Sequence, residues 1–424
     1  MNAKNGSENL LADELLIDAE ADDDGVQQQT VALARPWLLL LGLVLVGLNL
    51  RPALSSLSPV LGSVVAATGM SSTMAGLLTT LPVACLGIFG PLAPHLARRL
   101  GSEKTIALAL SILALGILLR TQLGLFGLFA GSVLAGAGIG ITGVLLPGIV
   151  KRDFARKASL MTGVYTMALC AGAALAAGLT VPVQEHFQHD WRPALAVWAT
   201  PALLALLVWW PQLKGGPIAH HGKWEVKGLW RDPLAWQVTL FMGLQSSMAY
   251  IVFGWLPSIL IDRGLTPMSA GLMLSLSTMV QVLASLLVPA LSHRCVDQRP
   301  PILATALCVV SGLMGMLFAP VDNLLPWAVL LGLGQGGIFS VALSLLAHRS
   351  PDSHVAAHLS GMAQGVGYML ASLGPLSVGL IRDHTHSVYP LALLFALIAS
   401  ATLGMGMLAG RKRLVQVSSR PLQD

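Results

Sequence analysis

Charge is scarce in this sequence. Asp, Glu, Lys and Arg make up only 11% of its 424 residues, while 54% are hydrophobic. A water-soluble domain carries about 25% charged residues, so most of this surface faces a medium other than water. Segments of alternating hydrophobicity, about ten residues long, are missing, which excludes a membrane β-barrel. Neither His-Glu-x-x-His nor Gly-x-Ser-x-Gly occurs, and no glycine loop of the phosphate-gripping kind is found. The reading is therefore not an enzyme, with no cofactor and no ATP. Cysteine is rare, at Cys85, Cys170, Cys295 and Cys308. Their spacing suggests neither a metal site nor a disulfide framework.

What the chain does have is apolar runs of about 18–25 residues, the length that crosses a ~30 Å hydrocarbon core as a helix. They predict spans over 36–58, 72–94, 104–121, 125–149, 158–182 and 192–211. A second set lies over 234–258, 268–291, 300–319, 325–346, 355–380 and 389–409. No Asp or Glu falls inside these ranges, so the carboxylate relay of many proton-coupled pumps is not expected. The expected organisation is an acidic, disordered tail (1–35), a six-helix bundle (36–211), a polar linker (212–233), a second six-helix bundle (234–410) and a basic tail (411–424). The formal net charge of +5 does not point to nucleic acid, because the basic residues sit in short loops between apolar runs. Of the 25 Lys and Arg, all but Arg51, Arg120, Arg192, Arg263 and Arg382 lie on the side of the amino terminus. That bias predicts an even number of spans with both termini in the cytoplasm, and the expected location is the bacterial inner membrane.

The halves repeat at an offset of about 198 residues. Pro91-Leu92-Ala93-Pro94-His95 lines up with Pro289-Ala290-Leu291-Ser292-His293, and Gly136 and Gly138 with Gly334 and Gly336. Ala75-Gly76-Leu77-Leu78 recurs as Ala270-Gly271-Leu272-Met273 at a slightly shorter offset. Two copies of like orientation predict bundles related by an axis along the membrane normal, with substrate bound between them near the midplane.

Asn49-Leu50-Arg51-Pro52, Gly76-Leu77-Leu78-Thr79-Thr80-Leu81-Pro82 and Leu145-Leu146-Pro147-Gly148-Ile149-Val150-Lys151-Arg152-Asp153-Phe154 carry a family resemblance. So do Pro233-Leu234-Ala235-Trp236-Gln237-Val238-Thr239-Leu240-Phe241, Gly254-Trp255-Leu256-Pro257 and Leu359-Ser360-Gly361-Met362-Ala363-Gln364-Gly365-Val366-Gly367-Tyr368. From about residue 35 to 412 the sequence resembles the cyanate permease and 2-nitroimidazole exporter branch of the major facilitator superfamily. The resemblance implies an all-α membrane fold of twelve transmembrane helices in two six-helix bundles. It also implies transport by alternating access, of a nitroimidazole-like compound outward or of a small anion such as cyanate inward. One departure stands out. The loop after the second span usually holds an Asp-Arg pair, but here it reads Pro94-His95-Leu96-Ala97-Arg98-Arg99-Leu100-Gly101.

The candidate substrate residues are polar or aromatic groups within the runs: Arg51, Gln281, Gln364, Tyr368, Gln245, Tyr250, Gln335, Asn49 and Trp255. A planar guanidinium suits an anion or a nitro group, so Arg51 is either the cavity cation or a side chain snorkelling past Pro52 to the surface. Asn49 and Arg51 are two apart, so at most one faces the cavity. Gln364 and Tyr368 are four apart and share a helix face. The amides equally suit helix-to-helix bonds. Trp255, Trp191, Trp209 and Trp210 lie near span ends, where interfacial anchoring is the default; Trp255 also suits stacking on a flat ligand. Arg120 is expected to snorkel. His358 is the candidate proton-coupling group, competing with a plain solvated role. His95, Arg98, Arg99, His293 and Arg294 are candidate gate or loop residues. The expected partners are a small-molecule substrate and the lipid bilayer, with the monomer as functional unit and no metal. A membrane sensor or scaffold is the remaining alternative, disfavoured by loops too short for a signalling domain.

Overall fold

The computed structural model describes residues 36–154, 157–214, 224–292, 295, 297–385 and 387–421. The described residues from Leu41 onward form one compact unit, and the contacts below lie within it. Among the described residues, twelve helices are long and apolar enough to cross a membrane, one for each predicted run.

The first span is broken. Helix α1 (Pro36–Leu48) stops, α2 (Pro52–Ser55) restarts, and α3 (Leu57–Thr68) continues. The second span is α4 (Ser72–Phe89) with α5 (Ala93–Leu100), followed by α6 (Ser102–Leu119), α7 (Gly124–Asp153) and α8 (Ala158–His186). Helices α9 (Trp191–Ala196) and α10 (Ala199–Trp209) make the sixth span. The second six are α11 (Pro233–Asp262), α12 (Pro267–Ser292), α13 (Arg299–Phe318), α14 (Leu325–His348), α15 (Ser353–His384) and α16 (Val388–Ala409). The two bundles meet chiefly through α4 against α15 and α8 against α12, with α3 also packed on α11.

Several helices outrun the predicted ranges, and the excess matters. Helix α11 reaches Asp262, α15 reaches His384, and Glu103, Asp153 and Glu185 also fall within helices. The expectation of spans free of acid is corrected: acids occupy the helix ends. Glu103, Asp153 and Asp262 are held there by partners that hydropathy does not register. Glu103 Oε1 lies 2.5 Å from Arg152 Nη2, and Asp153 Oδ1 lies 2.6 Å from Arg152 Nε. Asp262 pairs with Arg382.

The break in the first span follows from Pro52, which has no N–H to donate and fits the first position of a new helix. Backbone freed at membrane depth needs partners; side chains supply some of them, and others tie the break to distant helices. Asn49 Nδ2 donates to the Leu45 and Pro201 carbonyls at 2.7 and 3.0 Å. Arg120 Nη1 donates to Ala53 O at 2.7 Å, and Ser55 Oγ donates to Ala173 O at 3.0 Å. Gly172 on α8 sits so close that a Cβ there would lie 1.9 Å from Leu48 O. Arg120 thus does not snorkel. It is 2% exposed, with Nε donating to Ser132 Oγ at 3.0 Å. It is tied inward because the broken helix presents a carbonyl that only a long donor reaches.

The duplication is present with a different register. A Cβ on Gly136 or Gly140 would strike α4 at Pro82 or Leu86, and one on Gly138 would strike Ala109 of α6. In the second half, Gly332 and Gly336 face Ser277 and Gln281 of α12, while Gly334 faces Val309 of α13. Equivalent neighbours therefore pair Gly136 with Gly332, Gly138 with Gly334 and Gly140 with Gly336, an offset of about 196. At an offset of 198 each glycine would be turned to the wrong neighbour, because two residues rotate a helix by about 200°.

A short antiparallel ribbon adds to the helices. Strand β1 (Trp224–Lys227) pairs with β2 (Ser418–Pro421), joining the linker to the carboxyl-terminal tail. Asp232 caps α11 through Ala235 N at 2.9 Å and accepts from Gln416 N at 2.8 Å.

Candidate functional site

The break delivers Arg51 into the space between the bundles. Its Cζ stands 5.0 Å from the Phe253 ring centroid on α11, and the side chain is neither buried nor fully exposed. Phe253 is 6.5 Å from the Tyr250 ring, and Tyr250 meets Tyr368 of α15 edge-on at 6.1 Å. Tyr165 of α8 lies near Tyr368, and a Cβ on Gly47 would lie 3.0 Å from its carbonyl. Among the described residues, no carboxylate pairs with Arg51. A cation beside π-faces gains about 0.5–2 kcal/mol, but its donors still need acceptors. The group combines one fixed positive charge, three phenols and an aromatic floor drawn from both bundles.

Towards the Asp383 end, the bundles are joined just beyond this group. Thr80 Oγ1 donates to Ser372 O at 3.0 Å, and a Cβ on Gly254 would lie 3.2 Å from Thr79 Cβ. Trp255 Nε1 donates to Pro375 O at 3.0 Å. Trp255 is 2% exposed and has Arg382 Cζ 5.3 Å from its ring. It fastens α11 to α15 and is not an interfacial anchor. Trp191 and Trp209 are buried as well, and Trp209 Nε1 donates to Glu103 O at 3.0 Å, so of these four Trp210 alone is exposed in the anchoring manner.

The other polar residues separate into two groups. Gln364 lies one turn before Tyr368, half-exposed, with Nε2 donating to Ser360 Oγ at 2.8 Å. Asn49 is buried and turned to Pro201, so of the pair Asn49 and Arg51 only the arginine faces the other bundle. Gln281 Nε2 donates to Gln335 Oε1 at 2.9 Å, joining α12 to α14 within the second bundle. Gln245 donates to Met242 O and Ser246 Oγ on its own helix. With Gln335 it lines a cavity of about 10 Å³ closed by Met248, Ala306, Ile338 and Thr402, space for about one water. Those three amides are engaged in packing, and the structure does not bring them to the Arg51 group.

His358 is exposed in the second turn of α15, its Nδ1 2.9 Å from the His354 carbonyl. His95, Arg98 and Arg99 are exposed on α5. His293 and Arg294 lie outside the described residues. Sequence reasoning missed Tyr165 and Phe253. The available signal was rarity: the chain has only four tyrosines, and three of them gather here.

The chain matches the Major Facilitator Superfamily over residues 39–378. It is 40% identical over 388 residues to the uncharacterized transporter YycB of Bacillus subtilis (strain 168), covering 91% of this chain and 96% of that one. It is 35% identical to the 2-nitroimidazole transporter of Escherichia coli (strain K12), covering 89% and 97%. Identity to the cyanate transport protein CynX of the same organism is 33%, covering 81% and 90%. The inward-open xylose transporter XylE from E. coli shares the fold, with a TM-score of 0.69, 13% identity, and 88% and 96% of the two chains covered. Twelve spans in two bundles, with a charge and a cluster of aromatics where they face each other, accord with that fold: the chain is a multi-pass membrane transporter of the Major Facilitator Superfamily, in the family of the 2-nitroimidazole and cyanate transporters.

Proposed function

We propose that the chain is a secondary transporter of the bacterial inner membrane that binds a small planar solute between its bundles and moves it by alternating access. The observation carrying this is Arg51, a cation at the break of the first span that faces the other bundle, with an aromatic neighbour and no carboxylate partner among the described residues. An intramembrane charge is costly and marks a functional path. Its fork of donors suits two oxygens held in one plane, as in a nitro group, or the end of a small anion. Tyr250, Phe253 and Tyr368 supply faces and edges for a flat ring. The first reading is export of a nitroimidazole-like compound. The second, favoured by the unpaired positive charge, is uptake of a small anion such as cyanate. The excess of Lys and Arg on the amino-terminal side supports cytoplasmic termini. The monomer is taken as the working unit.

Cells with and without the protein, given labelled 2-nitroimidazole and labelled cyanate in parallel, test this. Lower nitroimidazole accumulation in expressing cells is the expected result for export, and raised cyanate accumulation for uptake. Equal accumulation of both, with the protein present in the membrane, rejects both readings.

A further inference from the structure

We infer that Asp383 is the latch of the outer gate: it closes that end by capping, from the second bundle, the first turn of a helix in the first. The inference rests on the alternating-access reading, which requires this end to open in each cycle.

The first N–H groups of a helix have no partner within it. In α4, Ser71 serves one of them, accepting from Met74 N at 3.2 Å. Ser72 N and Thr73 N are left over. Asp383 takes both, with Oδ1 2.7 Å from Ser72 N and Oδ2 2.8 Å from Thr73 N. One carboxylate thus satisfies two successive donors and meets the positive end of the helix dipole. The acid comes from 310 residues along the chain, on the partner bundle. A local cap would not join the bundles; this one does.

The surroundings fix the acid in place. One turn earlier on α15, Gly379 touches α4 backbone to backbone, where a Cβ would lie 2.5 Å from Ser72 O and 2.8 Å from Gly76 Cα. That contact sets the height at which Asp383 meets the helix start. The adjacent Arg382 does not compete for the carboxylate, since it pairs with Asp262 and lies over Trp255 of α11. Helices α11 and α15 are therefore tied to each other, and the latch transmits force between whole bundles. Asp383 is open to water, which competes for both donors, so the latch is a reversible one.

Hydrogen–deuterium exchange on the purified full-length protein in lipid nanodiscs tests the latch without knowledge of the substrate. Asp383→Ala removes the acceptor. Ser72→Pro removes one donor and leaves the helix intact, because proline fits the first helical position. The latch predicts that exchange rises in the first turn of α4 and also, at least tenfold, in α3 and in residues 255–262 of α11. Ser72→Pro gives the same pattern in smaller measure, and decides the matter if Asp383→Ala fails to fold. A rise confined to the first turn of α4, or none, overturns the latch and leaves a local cap. A wild-type protein that moves no labelled solute rejects the transport reading, and leaves the exchange pattern to be judged separately.

Discussion

Gly172 is the position at which one methyl group should do most damage. A Cβ there would stand 1.9 Å from Leu48 O and 2.9 Å from Leu48 C. The obstacle is backbone on the edge of the break, so it cannot rotate away. An ordinary contact begins at 3.4 Å, so α8 and the end of α1 must separate by about 1.5 Å, and overpacking of this kind costs about 1–3 kcal/mol, occasionally more. Against that, replacing glycine by alanine in a helix gains about 1 kcal/mol of propensity. The net for Gly172→Ala is a loss of up to about 2 kcal/mol. Gly143→Ala on α7 is the control, because a Cβ there meets nothing within 4 Å. Thermal unfolding of purified protein should show a lowered midpoint for Gly172→Ala and an equal or raised one for Gly143→Ala. Transport should fall in the first variant beyond its loss of stability, since the displaced break carries Arg51. A Gly172→Ala protein as stable and as active as the wild type would refute the close approach at Leu48.

Two further outcomes are expected. A reporter active only in the cytoplasm should work when fused after Asp424 or between Lys214 and Lys223, and should be silent between Gln184 and Asp190; activity in the latter reverses the orientation. In liposomes holding only this protein, solute should move down its gradient or by exchange, and an imposed pH gradient should drive no uphill accumulation, because Asp262 and Asp383 are engaged at one end and His358 is exposed; uphill transport lost in Asp262→Asn, Asp383→Asn or His358→Gln would name a relay and overturn this.

The twelve spans were legible because each apolar run is self-sufficient: its length and composition state that it crosses. What was not legible depends on partners far away in the sequence. Arg120 read as a snorkelling residue because its neighbours place it near a helix end, yet its acceptor is Ala53, 67 residues earlier. Trp255 read as an anchor for the same reason, and is held by Pro375. The acids read as loop residues since hydropathy ends a span at a charge; Arg152, Arg382 and the start of α4 allow the helices to run on. Gln281 and Gln335 read as mid-membrane amides, but only geometry reveals that one donates to the other. Arg51, Tyr250, Tyr368 and Gln364 were found from rarity of polar groups in apolar runs. Tyr165 escaped although the scarcity of tyrosine singles it out, and Phe253 escaped because nothing in its own helix distinguishes it.

The central claim is that Arg51 holds the solute. Its most direct test is the initial rate of solute entry into proteoliposomes at low concentration, for wild type, Arg51→Lys and Arg51→Ala. Hydrogen bonds from a charged donor contribute about 1.5–3 kcal/mol, and about 1.4 kcal/mol is tenfold. The account predicts a loss of about 10- to 100-fold in Arg51→Ala and poor recovery in Arg51→Lys, which keeps the charge but not the planar fork. Wild-type rates in both variants, at equal protein content, would contradict it.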